Sequence, residues 1–427
     1  MTHPDEPTLE LRYRALMPYR AHYLPSDLAS LYIGLRALRE RVEKQRQGAS
    51  DRIISPTVGE LAQLIERDGI VRMYVDQMIR EVPEKHHTVE DIPQLLAHLD
   101  HITRMAPEWE CDPKKRNFFP LSSLFAQMMM TSTGEAAFRN HAFNDAIKRI
   151  LQEWCCFLDS ANSLYVLTEV MQDGRDGWLS EPAVEYNKLD DFVVPDKSAP
   201  HWGWRSFNAF FHREIQASKR PIAAPGNPKV ITSANDGTVY NIARGVREKD
   251  RFWIKGQPYS LTDMVAGSAY VDRFIDGDVF QSFLSGADYH RWRSPIDGIV
   301  RQAYVVDGLM FSNATAHDAS AGTDSQGYET SVNTRGLVFI ESDDPVIGMV
   351  CCIPVGITEI SSVSLSVKRG DLVKKGDELG YFSYGGSSMA LVFQAGAINH
   401  FTVPPPADGD WEHGAAIQVN AQIAIAN

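Results

Sequence analysis

Along the first part of the chain the apolar positions recur at helical spacing. Leu28, Leu31, Tyr32, Leu35, Leu38 and Val42 share one face of a stretch that follows Pro25-Ser26 and stops before Gly48. That 3.6-residue period predicts a helix with one buried side. Thr57 and Glu60 stand at the Thr-x-x-Glu spacing of a capping box, in which the two side chains satisfy backbone donors at the start of the next helix. Phe138, Ile147, Ile150, Leu151, Trp154 and Leu158 predict a longer one. Residues 1–185 therefore read as a helical accessory domain. Residues 186–199 turn to Asp, Pro, Lys and Ser without periodicity and read as a linker.

From residue 200 to 427 the pattern changes to short runs rich in Val, Ile, Tyr and Phe, bounded by Gly, Asp and Asn. Residues 229–233, 298–306 and 336–341 are examples, and they predict strands. The fold class is α+β, a helical amino-terminal domain followed by a mostly β domain. An internal echo runs through the β part, because Ser233-Ala-Asn-Asp236-Gly237-Thr-Val239 and Ser294-Pro-Ile-Asp297-Gly298-Ile-Val300 share the frame S-x-x-D-G-x-V. Asp-Gly favours hairpin turns, since both residues tolerate positive φ, so the echo predicts a duplicated β unit with a turn between strands in each copy. The paired turns Gly370-Asp371 and Gly376-Asp377 resemble those of barrel-sandwich hybrid domains, some of which carry a lipoyl or biotinyl lysine. No MKM-like lysine signature is present, so a swinging arm is the weaker use of that resemblance.

A length of 427 residues exceeds what one core usually serves, in keeping with two domains. The formal charge of −13, with no long Lys/Arg stripe, argues against a nucleic-acid partner. The amino terminus is acidic and lacks an apolar run, so it reads neither as a secretory signal nor as a transit peptide. The longest apolar run, residues 347–357, is too short to cross a bilayer and contains Pro354 and Gly356. A soluble, cytoplasmic protein is the expectation. Cys111, Cys155, Cys156, Cys351 and Cys352 show no C-x-x-C spacing and read as buried, unbridged thiols of a reducing compartment. His86, His87, His98 and His101 lack the spacing of a metal site and read as solvated helix positions, so no metal is expected. Met128 to Met130 read as core filling.

Chemistry enters with Gly385-Gly386-Ser387-Ser388, set between apolar strand-like runs. A Ser hydroxyl can attack the carbonyl that precedes it where the backbone bends, and Gly permits that bend at least steric cost. The Gly386–Ser387 bond meets this need. The resulting ester can eliminate across the Ser Cα–Cβ bond, and hydrolysis of the remaining enamine leaves a pyruvoyl group at a new amino terminus. That ketone, beside an amide carbonyl, is an electron sink able to condense with an amine and to hold the electrons released when CO2 departs.

Several blocks, in order, resemble the phosphatidylserine decarboxylase superfamily. They are Phe207-Asn-Ala-Phe210-Phe211-His-Arg213 with Arg220-Pro221, Ser233-Ala-Asn-Asp236-Gly237, Tyr289-His290-Arg291-Trp292-Arg293-Ser294-Pro295, Val355-Gly356-Ile-Thr-Glu-Ile-Ser361 and Gly386-Ser387-Ser388. The resemblance covers about Trp204 to the end. Within the superfamily the chain is more similar to the pyruvoyl-type L-tryptophan decarboxylases, through Tyr289 to Trp292, Gly356 to Ser361, Gly385 to Ser388 and the long helical extension.

The resemblance implies that Ser387 is the nucleophile and pyruvoyl precursor, that Gly386 offers the attacked carbonyl, that Asp236 orients or charges a base and that His290 handles protons. Imidazole titrates near neutrality and a carboxylate can hold it in one tautomer, which suits those roles. One position departs from the family pattern. Arg293 stands where a second histidine is usual, three residues after the first, and a guanidinium cannot act as a general base. Either His290 or Asp236 takes over, or cleavage is slow or absent. In a cleaved chain the fork of Arg293 would suit an oxyanion or a substrate carboxylate. The leading expectation is decarboxylation of a free L-amino acid, aromatic among the candidates, to its amine and CO2. The alternatives are a phosphatidylserine decarboxylase, which needs membrane access, and an unprocessed, non-catalytic relative. The superfamily's architecture makes a homodimer reasonable.

Overall fold

The computed structural model describes residues 28–48, 53–83, 87–112, 115, 118–129, 131–249, 259–284, 288–312, 321–357, 359, 362–384, 386–407 and 414–427. His86, Met130, Ser361 and Gly385 lie outside the described residues. The chain divides into two compact units. One holds the described residues up to Asp190, Val194–Phe211 and those of 309–321; the other holds Asp191–Val193, His212–Gly308 and Gly322–Asn427.

In the helical unit, α1 (Leu28–Gly48) buries the six apolar side chains that its period predicts. The helix α2 (Pro56–Arg67) is capped by Ser55 rather than Thr57, with the Ser55 hydroxyl accepting from Val58 N. Pro56 occupies the first helical position, where a missing N–H costs nothing. Thr57 donates its N–H and hydroxyl to Glu153, and Glu60 pairs with Arg149 instead of closing a capping box. Next come α3 (Gly69–Arg80), α4 (Ile92–Ile102) and the wholly buried α5 (Pro120–Met129), which carries Met128 and Met129 into the core. The single long helix predicted around Phe138 to Leu158 is two, α6 (Ser132–Arg139) and α7 (His141–Leu158). Asn140 leaves the helical region, at ψ 118°, and its side chain caps α7 by accepting from Phe143 N.

The histidines of α4 are not solvated. His98 is buried with its Nδ1 2.7 Å from Gln94 O, and burial beside Arg41 and Arg104 pulls His101 down to about 4. The cysteines also divide. Cys351 and Cys352 are buried, whereas Cys111 and Cys156 are exposed on the helical unit. Among the described residues no helix is long and apolar enough to cross a membrane.

The second unit is antiparallel β. Its strands are β1 (Val230–Thr232), β2 (Gly237–Val246), β3 (Gly277–Leu284), β4 (Arg291–Arg293), β5 (Gly298–Val306), β6 (Arg335–Glu341) and β7 (Met349–Ile357). They continue with β8 (Val363–Leu365), β9 (Leu372–Val373), β10 (Glu378–Phe382), β11 (Gly386–Phe393), β12 (Ile398–Phe401), β13 (Ala416–Ile417) and β14 (Gln422–Ala426). An eight-stranded sheet runs β13-β2-β3-β11-β7-β6-β5-β9, with two small sheets, β1-β14-β12 and β4-β10-β8. The apolar run at residues 347–357 is explained by β7, which lies inside the large sheet and is buried along its whole length.

The echoed frames are structural equivalents. Each serine donates to the carbonyl two residues on, Ser233 to Asn235 and Ser294 to Ile296. Each aspartate accepts from a backbone N–H of a returning segment, Asp236 from Val419 at 2.8 Å and Asp297 from Lys375 at 2.7 Å. The bulge between Val239 and Asn241 in β2 recurs between Val300 and Gln302 in β5. A left-handed residue follows each donor, Asn420 at φ 69° and Gly376 at φ 88°. The β unit is therefore duplicated, with the halves joined along β11 and β7.

The Asp-Gly steps are not hairpins, however. Strands β1 and β2 belong to different sheets, as do β4 and β5, so each step carries the chain from a small sheet to the large one. Close approach explains the glycines, because a Cβ at Gly237 would lie 2.2 Å from Phe283 O and one at Gly298 2.4 Å from Glu341 O.

Candidate active site

Ser387 is the second residue of β11, paired with Leu284 on β3 and Gly356 on β7. It is wholly buried, and its hydroxyl has no hydrogen-bond partner among the described residues. Alternate side chains of a strand face opposite sides. Met389, Leu391 and Phe393 face the apolar layer that holds Trp292, Leu379 and Phe382 of the small sheet, so Ser387 faces that layer too. Ser388 faces the other way, toward the layer of Ala390 and Val392. Gly386 pairs with Ile357.

The same alternation sorts β4 and the two residues that precede it. Tyr289 packs with Phe192, Ile215 and Val419, while Arg291 and Arg293 reach Glu214, so these odd-numbered side chains share one face. His290 and Trp292 take the other face, the one Ser387 looks onto. His290 is buried, and its carbonyl accepts from Phe382 N at 2.9 Å, which ties it to the segment leading into β11. Arg293 is engaged elsewhere: it donates to Tyr289 OH at 2.9 Å, Gly376 O at 3.1 Å and Glu214 at 3.3 Å. Burial, only partly offset by Arg293, pushes the Tyr289 hydroxyl up to about 12.

Asp236 sits at the corner before β2, buried, and accepts from Arg220 Nε at 2.9 Å as well as from Val419 N. The partner at its carboxylate is thus a guanidinium, not an imidazole. That bond raises the Arg220 pKa further, against the effect of burial. Thr238 pairs with Phe283, and the next residue, Leu284, pairs with Ser387, so Asp236, just before β2, and Ser387 on β11 lie at the same end of the two strands that flank β3. Two strand spacings amount to about 10 Å. Arg293 N donates to Ala234 O at 2.8 Å, which fastens β4 to the same corner. All five candidates therefore collect at one end of the large sheet, but only Ser387 and His290 face the same layer.

Sequence reasoning left Arg220, Asn235 and Ser388 without roles, although it quoted all three within its motifs, and passed over Gln281. The signal was present in β3, where Gln281-Ser282 interrupt an apolar strand; buried polar side chains demand partners.

Two family models, both described as phosphatidylserine decarboxylase, match residues 207–408 and 55–186. The decarboxylase iboD of Amanita muscaria is 39% identical over 295 residues, spanning 64% of this chain and 83% of that protein. The chain belongs to the phosphatidylserine decarboxylase superfamily. It is a carboxy-lyase. Among other superfamily relatives, an L-tryptophan decarboxylase of Psilocybe cubensis is 28% identical over 393 residues, 86% of this chain and 85% of its own. A phosphatidylserine decarboxylase proenzyme of Schizosaccharomyces pombe is 31% identical over 206 residues, 48% of this chain and 20% of its own. The superfamily match over residues 55–186 falls within the helical unit, and the match over 207–408 takes in Asp236, His290 and Ser387.

Proposed function

We propose that this carboxy-lyase acts on a free L-amino acid, with aromatic side chains the first class to test, after self-cleavage between Gly386 and Ser387. The observation that carries the proposal is the setting of Ser387. Its buried hydroxyl follows a glycine, has no partner among the described residues and faces the layer that His290 faces. Such a hydroxyl fits the precursor of a pyruvoyl group, since a serine already engaged would have to break a bond before attacking.

In this reading the Ser387 hydroxyl attacks the Gly386 carbonyl, and His290 takes its proton and delivers it to the departing Ser387 nitrogen, leaving an ester. Loss of the Ser387 Cα proton expels the Gly386 carboxylate, and water then releases ammonia. The pyruvoyl group so formed would supply an electron sink as CO2 leaves. His290 would return a proton to the substrate Cα. Trp292 and Phe382, buried on the same face, would keep water out. Asp236, bound by Arg220, would fix the corner without exchanging protons.

Support for a free amino acid comes from the relatives. The L-tryptophan decarboxylase aligns over both parts of the chain, and the phosphatidylserine decarboxylase proenzyme over about half. Intact mass spectrometry of the wild-type chain beside Ser387→Ala, followed by CO2 release from L-amino acids and from phosphatidylserine vesicles, tests the proposal. Fragments ending at Gly386 and beginning at residue 387, an uncut mutant and CO2 from an amino acid are the expected results. An uncut wild-type chain, or CO2 from the vesicles alone, would overturn it.

A further inference from the structure

Two serines follow Gly386, and the structure treats them oppositely. The Ser388 hydroxyl donates to Ser282 O at 3.0 Å and accepts from the Gln281 amide at 2.8 Å. The amide oxygen of Gln281 in turn accepts from Tyr259 OH at 2.7 Å. The Ser282 hydroxyl donates to Asn235 Oδ1 at 2.9 Å, and the Asn235 amide donates to Asp236 O at 2.7 Å. Each of these side chains is at most 1% exposed. A run of buried hydrogen bonds thus crosses β11, β3 and the corner before β2, from the second residue after the cleavage point to Asp236.

The strand needs such an anchor at this point. Its first residue is Gly386, and on the β7 flank Ser387 lies opposite Gly356, so on that side no side-chain pair fixes the register at this end. A slip of one residue would exchange the faces of Ser387 and Ser388 and turn Met389 out of its layer. Ser388 resists that slip, because its hydroxyl finds both partners only in the observed register. The buried amide of Gln281 would also lose its acceptor.

We infer that Gln281 and Ser388 are positioning residues for self-cleavage, holding β11 in the register that presents Ser387 and withholds Ser388. The inference rests on the self-cleavage proposed above. Neither residue touches the attacked carbonyl; both act through the placement of Ser387. Displacement of an attacking atom by about 1 Å commonly costs on the order of a hundredfold in rate.

The test is an intact-mass time course after cell-free synthesis of the full chain as wild type, Ser388→Ala, Ser388→Thr and Gln281→Met, with thermal unfolding measured in parallel. Ser388→Ala and Gln281→Met should cleave roughly ten- to a hundredfold more slowly than wild type while folded, and Ser388→Thr, which restores the hydroxyl, should stay within a few fold. A Gln281→Met product beginning at residue 388 would add direct support for selection between the serines. Wild-type rates in both folded variants would overturn the inference. So would failure of both to fold, which would make the pair merely structural, or a Ser388→Thr rate no better than that of Ser388→Ala. An uncut wild-type chain would instead defeat the self-cleavage reading itself.

Discussion

The carboxylate of Asp236 is gripped by the guanidinium of Arg220, whose Nε lies 2.9 Å from one oxygen and 3.1 Å from the other. The side chains are 13% and 7% exposed for Arg220 and Asp236, so water screens the pair little. Removing one partner of a pair this buried leaves a charge without compensation. Arg220→Met should therefore lower stability by about 3 kcal/mol, read from urea unfolding in the Ser387→Ala background. Asp236→Asn combined with Arg220→Met should recover much of that loss.

His290 and Arg293 should separate sharply in kinetics. His290→Ala should slow self-cleavage roughly 100-fold or more, the usual contribution of a positioned proton-transfer group. Arg293→Met should leave the cleavage rate within a few fold, because its guanidinium is turned toward Glu214, Tyr289 and Gly376. Arg293→His, which restores the residue usual in the superfamily, should not accelerate cleavage. Mass-resolved time courses would check all three.

His101 should make the helical unit acid-sensitive. Its folded pKa, about 4, lies below the ordinary 6.5, so the unfolded chain binds more protons between those values and stability falls as pH drops through the window. This group alone should cost about 2 kcal/mol at pH 5 relative to pH 7. Chemical denaturation at the two pH values, wild type against His101→Gln, should show a smaller pH effect in the variant.

Thiol reactivity should follow position. A neutral alkylating reagent should label Cys111 and Cys156 on the native protein within minutes, leaving Cys351 and Cys352 for the denatured one. Burial raises both of the latter thiols above their ordinary range and hides them from the reagent. Peptide mapping after a short pulse would read the difference.

Where burial imposes a period, the sequence was readable. Helix α1 and the strands β1, β5 and β6 lie where the apolar positions predict them. The duplication was also visible, because each copy of S-x-x-D-G-x-V makes the same bonds. What escaped depended on partners distant in the chain. Glu153 claims Thr57 from ninety-six residues away, and the return of Val419 to Asp236 turns an apparent hairpin into a crossing between sheets. The orientation of Arg293 was legible in principle. A residue three positions from His290 along a strand must face the opposite side.

The position of the Gly386–Ser387 bond at the start of β11 gives a cut there an irreversible character. The strand is bonded on both flanks, to β3 and β7, and the residues after it supply β12, β13 and β14. Severing the backbone would leave the two pieces interlocked and the native state intact. The unfolded state would be altered: two separate molecules would have to find each other before the sheet could close, an assembly that becomes bimolecular and dependent on dilution. A cut protein, once melted, would lack the intramolecular route by which it first folded, so its endurance would be governed by the rate of opening rather than by equilibrium.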